Sequence, residues 1–425
     1  MKHLITLFLS LFTTILLGQE TYLHCGRLVD VNSGKILTEK TIIISGNTIK
    51  SIGNGYQTGV ADAAVIDLKD KTVLPGFIDM HVHMEGQSSP NTYIQKFTLN
   101  EADVALQSTV YAKNTLMAGF TTVRDLGGSG VNIALRNAIN KGAIVGPRIF
   151  TAGKAIGTTG GHADPTNGMK KDLMGDPGPK EGVVNSPEDA RKAVRQRYKD
   201  GADVIKITAT GGVLSVAKSG QNPQFTIEEI KEITSTAKDY NMLTAAHAHG
   251  DEGIKRAILG GINTIEHGTL MSEATMDLMV EHHTYLVPTI SAGKEAAAKA
   301  EIPGYYPEVV AQKAREIGPR IEAMFKMAYK KGVPIAFGTD AAVFPHGENA
   351  SEFVYMVEGG MPIMEALRSA TITNAKLLGM EDSLGQIKEG YIADIVAVEG
   401  NPEKDVSTLK NTVFVMKEGK IYKSE

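Results

Sequence analysis

Leu74-Pro75-Gly76-Phe77-Ile78-Asp79-Met80-His81-Val82-His83 is an apolar run that ends in two histidines separated by one residue. Residues i and i+2 of a β-strand project to the same face, whereas on a helix they diverge by roughly 200°. The pair therefore reads as two imidazoles converging at a strand end, as two ligands of one metal ion must. With 11 histidines in 425 residues, about 0.3 His-x-His pairs arise by chance. The motif gains weight only from partner residues further along the chain.

After His83, apolar strand-like runs alternate with helix-like segments. Eight candidate strands can be traced: Leu74–His83, Thr121–Asp125, Arg148–Thr151, Asp203–Thr208, Leu243–His247, Thr264–His267, Tyr285–Pro288 and Ile335–Thr339. Among the helices, Pro187–Asp200 has Ser186 as its cap and proline at its first position, and Thr226–Tyr240 opens as a capping box, Thr-Ile-Glu-Glu. Eight β-then-α units predict an α/β chain with a (β/α)8 TIM barrel over residues 74–378, a fold whose function gathers at the C-terminal strand ends. His83, Lys206, His247, His267 and Asp340 all fall at such ends.

The flanks differ. Residues 19–73 and 379–425 carry short β-branched runs such as Thr41-Ile42-Ile43-Ile44 and Thr412-Val413-Phe414-Val415-Met416, broken by Ser45-Gly46-Asn47 and Glu418-Gly419-Lys420 turns. Neither flank has a core of its own, so the two are predicted to pair into one small composite β-sandwich domain. Two connections exceed plain turns: Gly153–Asn185, rich in glycine and proline, reads as a binding loop or lid, and Thr289–Lys331 as largely helical.

A hydrophobic fraction of 42% and a net charge of -4 without a basic stripe are those of an ordinary globular chain and give no case for nucleic acid. Small molecules are the expected partners, and self-assembly into a homo-oligomer is compatible with the composition. Met1-Lys2-His3 followed by the uncharged apolar run Leu4–Leu17 and Gly18-Gln19 reads as a signal peptide over residues 1–18. Its removal would leave no stable membrane anchor and an exported protein, periplasmic or secreted; a retained anchor is the alternative. Cys25 is the only cysteine, which excludes an intramolecular disulfide and fits a small buried strand residue.

Lys206 lies inside a buried-strand pattern, Asp203-Val204-Ile205-Lys206-Ile207-Thr208. Burial disfavours an ammonium ion, and a neutral amine can take up carbon dioxide as a carbamate, N6-carboxylysine, whose two oxygens could bridge metal ions. A snorkelling or ion-paired lysine would give the same pattern. His247 and His267 are polar residues at apolar strand ends, Asp340 comes just after the eighth strand, and strict alternation puts Glu266 on the face opposite His267.

The order Pro-Gly-Phe-Ile-Asp-Met-His-Val-His, then strand-end Lys, His, His and Asp, then Gly390-Tyr391-Ile392-Ala393-Asp394, resembles the amidohydrolase superfamily of metal-dependent hydrolases. Thr159-Gly160-Gly161-His162, Ala246-His247-Ala248-His249-Gly250 and Ile265-Glu266-His267-Gly268 are similar to its branch of Xaa-Pro dipeptidases, related dipeptidases or carboxypeptidases, and imidazolonepropionase-like enzymes. The resemblance implies two divalent metal ions, zinc by donor type, with His81, His83, carboxylated Lys206 and Asp340 on one, and Lys206, His247 and His267 on the other. It implies attack of a metal-bridging hydroxide on an amide carbon, with Asp340 moving the proton to the departing nitrogen and His162 polarising the carbonyl or binding substrate. His249 and His346 are further candidate substrate contacts. The expected activity is hydrolysis of a peptide-like C–N bond, in Xaa-Pro or related dipeptides or N-acyl amino acids. A cyclic amide substrate is the alternative, and a metal-dependent binding protein the non-enzymatic one.

Overall fold

The computed structural model describes residues 20–59 and 63–425; the expected signal peptide, residues 1–18, lies outside the described residues. The chain opens with four strands, β1 (Thr21–Asp30), β2 (Lys35–Ser45), β3 (Thr48–Asn54) and β4 (Ala64–Pro75). Seven parallel strands come next, separated by helices: β5 (Phe77–Val82), β6 (Phe120–Asp125), β7 (Arg148–Thr151), β8 (Val204–Thr208), β9 (Leu243–Gly250), β10 (Thr264–Leu270) and β11 (Tyr285–Val287). The chain closes with β12 (Ile395–Glu399), β13 (Thr412–Lys417) and β14 (Lys420–Ser424).

The parallel strands form a three-stranded sheet, β5-β6-β7, and a four-stranded sheet, β8 to β11. Isolated parallel bridges join their edges: Ile156 with Ile207, Leu286 with Ile335, and Val82 with Ala341. The architecture is α/β and TIM-barrel-like. The eighth expected strand, Ile335–Thr339, is the exception, since it makes a single bridge, at Ile335, but no regular ladder. The cause is local. The Thr339 N–H is shared between the Asp79 carboxylate (3.1 Å) and the His81 carbonyl (3.3 Å), which also takes the Asp340 N–H (2.7 Å), and Gly338 lies so close to its neighbours that a Cβ there would fall 2.3 Å from Val287. The opening stretch also divides: Leu74 and Pro75 end β4, and Gly76, where a Cβ would meet the Thr121 hydroxyl at 2.3 Å, separates them from β5.

Outward-facing Ile205, Ile207, Ala246, Ile265 and Leu286 pack against helix residues such as Ile230, Ile254 and Phe325 in the main core. The expected helix boundaries recur closely: Pro187–Asp200 is capped by Ser186 and Ile227–Asp239 by the Thr226–Glu229 capping box. The Thr289–Lys331 connection holds three helices, Ile290–Ala300, Glu308–Ile317 and Arg320–Lys331. No helix among the described residues is long and apolar enough to cross a membrane.

Strands of both flanks share one seven-stranded sheet, ordered β14-β13-β12-β4-β1-β2-β3, in which β4 meets β12 (Val73 beside Ala397). A sandwich of two sheets is not what forms. The register shift between Cys25 and Arg27 strengthens the twist, and Thr48 bridges Ile392, so a single sheet curls over its own core of Leu23, Cys25, Ile42, Val73, Ile395 and Phe414. Burial pushes the Cys25 thiol up to about 12, which leaves it inert.

Asp394 ties this sheet to the parallel strands. Its carboxylate accepts from Arg148 Nη1 (2.8 Å) and from the Glu418 N–H (2.8 Å), and its carbonyl accepts from the Gly76 N–H (2.8 Å). The carboxylate is buried, so its loss leaves Arg148 poorly compensated. Asp394→Ala is expected to lower unfolding free energy by about 3 kcal/mol in urea titration; a change below about 0.5 kcal/mol would assign the clamp elsewhere.

Candidate metal centre

Five strand ends deliver the side chains. His81 lies at the end of β5 and His83 just beyond it, Lys206 points inward from β8, His247 and His249 from β9, His267 from β10, and Asp340 comes after the eighth segment. The His81 and His83 ring centroids are 5.3 Å apart, and their Nε2 atoms stand 3.6 and 3.4 Å from Asp340 Oδ1. The His247 ring lies 4.7 Å from both His249 and His267, and His267 lies 5.1 Å from His81. One donor atom from each of His81, His267 and Asp340 lies within 4.8 Å of the others, and the same holds for His247, His249 and His267.

Each ring is held from behind. His81 Nδ1 sits 2.9 Å from Glu266, His83 Nδ1 2.7 Å from the Gly127 carbonyl, His267 Nδ1 2.7 Å from the Thr289 hydroxyl, and His249 Nδ1 2.9 Å from the Thr269 hydroxyl. His247 is fixed by the other nitrogen, Nε2, at 3.1 Å from the Gly211 carbonyl. Supporting one ring nitrogen sets the tautomer and leaves the other free to donate a lone pair.

Two backbone outliers aim the ligands. His267 has φ of +71° and Asp340 +60°, left-handed values that side chains other than glycine adopt at a cost of order 1–3 kcal/mol. The turn at His267 also corrects the alternation argument. Glu266 and His267 both reach the interior, because the left-handed residue breaks the period of two. There Glu266, fully buried, accepts from Arg124 Nη2 (2.9 Å) and supports His81.

Burial sets the charge states. It holds His81, His247 and His267 well below the usual histidine range, with Lys206 reinforcing the effect, and lowers His83 to about 4 and His249 and His162 to about 3. Neutral imidazoles are the form that binds metal. Burial likewise pulls Lys206 down, against the attraction of Glu266 and Asp340, and pushes Asp340 up, against Lys206. A buried set of lone-pair nitrogens, one carboxyl group and a lysine whose ammonium form burial disfavours fits two divalent cations and the carbamate that would bridge them.

The remaining expected contacts separate. His162 reaches in from the Gly153–Asn185 loop, with its ring 4.4 Å from His247, its backbone N–H on Gln224 (2.9 Å) and its buried Nδ1 without a partner. His249 lines the same cavity, which measures about 740 Å³. His346 does not line it. Its Nε2 binds the Gly86 carbonyl (2.9 Å) and its ring stacks on Tyr111 (4.8 Å), so it braces the wall from behind.

Sequence reasoning passes over Arg124, Asp79 and the far wall of the cavity. Arg124 donates to the Met80 carbonyl, Thr264 and Glu266, and a charged residue inside an apolar strand is the available signal. The wall of Ala292, Ala296, Tyr306, Val213, Leu214 and Val343 comes from separate connections that no local pattern links.

Residues 72–422 match the family described as "Amidohydrolase family". The chain belongs to that family and is a hydrolytic enzyme acting on C–N bonds. It is 53% identical to a solved Xaa-Pro dipeptidase with bound methionine in the active site, covering 96% of this chain and 100% of that one with a TM-score of 0.93. A solved prolidase complexed with N-methylphosphonate-L-proline is 33% identical, with the same coverage and a TM-score of 0.87. Ochratoxinase of Aspergillus niger is 32% identical over 96% of this chain and 87% of its own length.

Glu266→Gln keeps the shape at His81 and removes the charge. It is expected to weaken metal uptake by about 10–100-fold in chelator competition, in folded protein; unchanged affinity would detach Glu266 from the centre.

Proposed function

We propose that this chain is an exported dinuclear-metal dipeptidase that cleaves Xaa-Pro or related dipeptides and N-acyl amino acids. In this reading a closed (β/α)8 barrel over residues 74–378 carries the site, and residues 19–73 with 379–425 form a composite β domain beside it. The supporting observation is the convergence of His81, His83, Lys206, His247, His267 and Asp340 on one buried cavity. The Xaa-Pro dipeptidase and prolidase among the similar structures favour the dipeptide substrate class.

His81, His83, Lys206 and Asp340 would hold one cation, and Lys206, His247 and His267 the other, with Lys206 as its carbamate. Two such cations, zinc by the donor set, would supply a water acidic enough to ionise near neutral pH and positive charge for a developing oxyanion.

The chain's own residues do the rest. Asp340, whose Oδ1 faces both His81 and His83, is placed to accept a proton and return it to the leaving nitrogen, without which an amine departs poorly. His162 is neutral and lines the cavity, where its ring N–H would donate to a substrate carbonyl oxygen. Apolar side chains of the helices beyond the site, Ala292, Ala296, Ile317 and Ile321, would shield the bound amide from water.

A library of dipeptides and N-acyl amino acids, assayed with zinc-loaded protein, tests the substrate class; turnover confined to cyclic amides would overturn it. Asp340→Asn is expected to lower kcat by about 10²-fold or more while bound metal stays within twofold of wild type. Unchanged turnover would remove Asp340 from proton transfer. Export predicts a mature N-terminus near Gln19 in the extracytoplasmic fraction, and an intact Met1 in the cytoplasm would refute it.

A further inference from the structure

The most unusual titratable group outside the centre is Lys313, on the helix Glu308–Ile317. Its side chain is buried, and its ammonium donates to three backbone carbonyls, those of Gly212 (2.7 Å), Ser215 (2.6 Å) and Ala217 (2.8 Å). Among the described residues it forms no ion pair. Burial lowers it only to about 8, so all three donors are present at neutral pH.

Those carbonyls belong to a glycine-rich loop after β8. Its base is pinned by the Thr210–Pro223 bridge and by Gly211 N–H to the Asn222 carbonyl (3.1 Å). Tyr93 donates to the Leu214 carbonyl (2.8 Å) from across the mouth, and Gln221 donates to Glu316 (3.1 Å), on the same helix as Lys313. The inner edge of the loop lies against two histidines. The Gly211 carbonyl supports His247 Nε2, and Gly212 lies so close to His162 that an added Cβ would fall 2.2–2.4 Å from three ring atoms. The Gly212 carbonyl that Lys313 holds thus belongs to the residue against which the His162 ring rests.

We infer that Lys313 is a positioning residue for His162, acting through the backbone of Gly211–Ala217, which it fixes as a rigid backstop for the ring. This rests on the reading of His162 as the carbonyl contact. A contact that strengthens in the transition state governs kcat more than substrate affinity. A small misplacement suffices for a large loss.

Lys313→Met, of similar length but without donors, is expected to lower kcat on a cleaved dipeptide about 10–100-fold with KM within about threefold. Lys313→Arg should restore part of it. In a double-mutant cycle with His162→Ala the second loss should largely disappear, because a backstop matters only while the ring is there. Fully additive losses, or wild-type kcat in Lys313→Met, would overturn the inference.

A second readout needs no turnover. In Lys313→Met, amide exchange across residues 211–219 should accelerate and the His162 ring resonance, identified by its loss in His162→Ala, should shift while that of His346 does not. An unmoved His162 resonance would overturn the positioning role. Failure of wild type to cleave any dipeptide would defeat the proposed substrate class alone, and the resonance and exchange data would still decide the role of Lys313.

Discussion

The site depends on burying a carboxylate and a guanidinium together under the first metal-ligand candidate. Glu266 and Arg124 are both fully buried and paired at 2.9 Å. Either alone would be an uncompensated charge in a medium of low dielectric, a strongly unfavourable state. Together they form a polar floor that also receives the His81 ring, the Met80 carbonyl and the Thr264 hydroxyl, all with direct hydrogen bonds. The imidazole above that floor cannot rotate without leaving one oxygen of the buried carboxylate without its partner.

Strain and support then act in the same direction. His267 and Asp340 adopt left-handed backbone at two of the strand ends, and each is over-determined by its surroundings. His267 is tied through its ring to Thr289, itself at φ of +50°, and the Asp340 N–H is tied to the His81 carbonyl at 2.7 Å. Asp79, below, reinforces the irregular backbone bonding of the eighth segment by accepting from His81, Thr339 and Asn349. Of the eight non-glycine residues with positive φ among the described residues, four, His267, Thr289, Asp340 and Ala342, lie at or beside the candidate ligands.

Much of this is legible in the sequence because the physics is local. Alternation within β8 and β9 sets Lys206 and His247 on the inner face, capping residues mark Pro187–Asp200 and Ile227–Asp239, and glycine-bearing turns mark the flank hairpins. What is not legible depends on contacts distant along the chain. Alternation puts Glu266 on the wrong face because a positive φ at the next residue has no signature in Ile265-Glu266-His267. His346 reads as a substrate contact because a histidine near a strand end looks the same whether its nitrogen meets substrate or the Gly86 carbonyl. The curl of the flank sheet, and the grip of Lys313 on a loop about a hundred residues earlier, are long-range events that no window of sequence contains.

All of the proposed chemistry requires six side chains from five strand ends to form a single centre for two divalent cations. Metal content per chain, measured by elemental analysis on protein purified without chelators or added metal, reads this out directly. Two equivalents of divalent transition metal are expected, falling to at most one in His247→Ala with the fold retained. Fewer than about 0.2 equivalents in protein that is nonetheless active would be incompatible with such a centre.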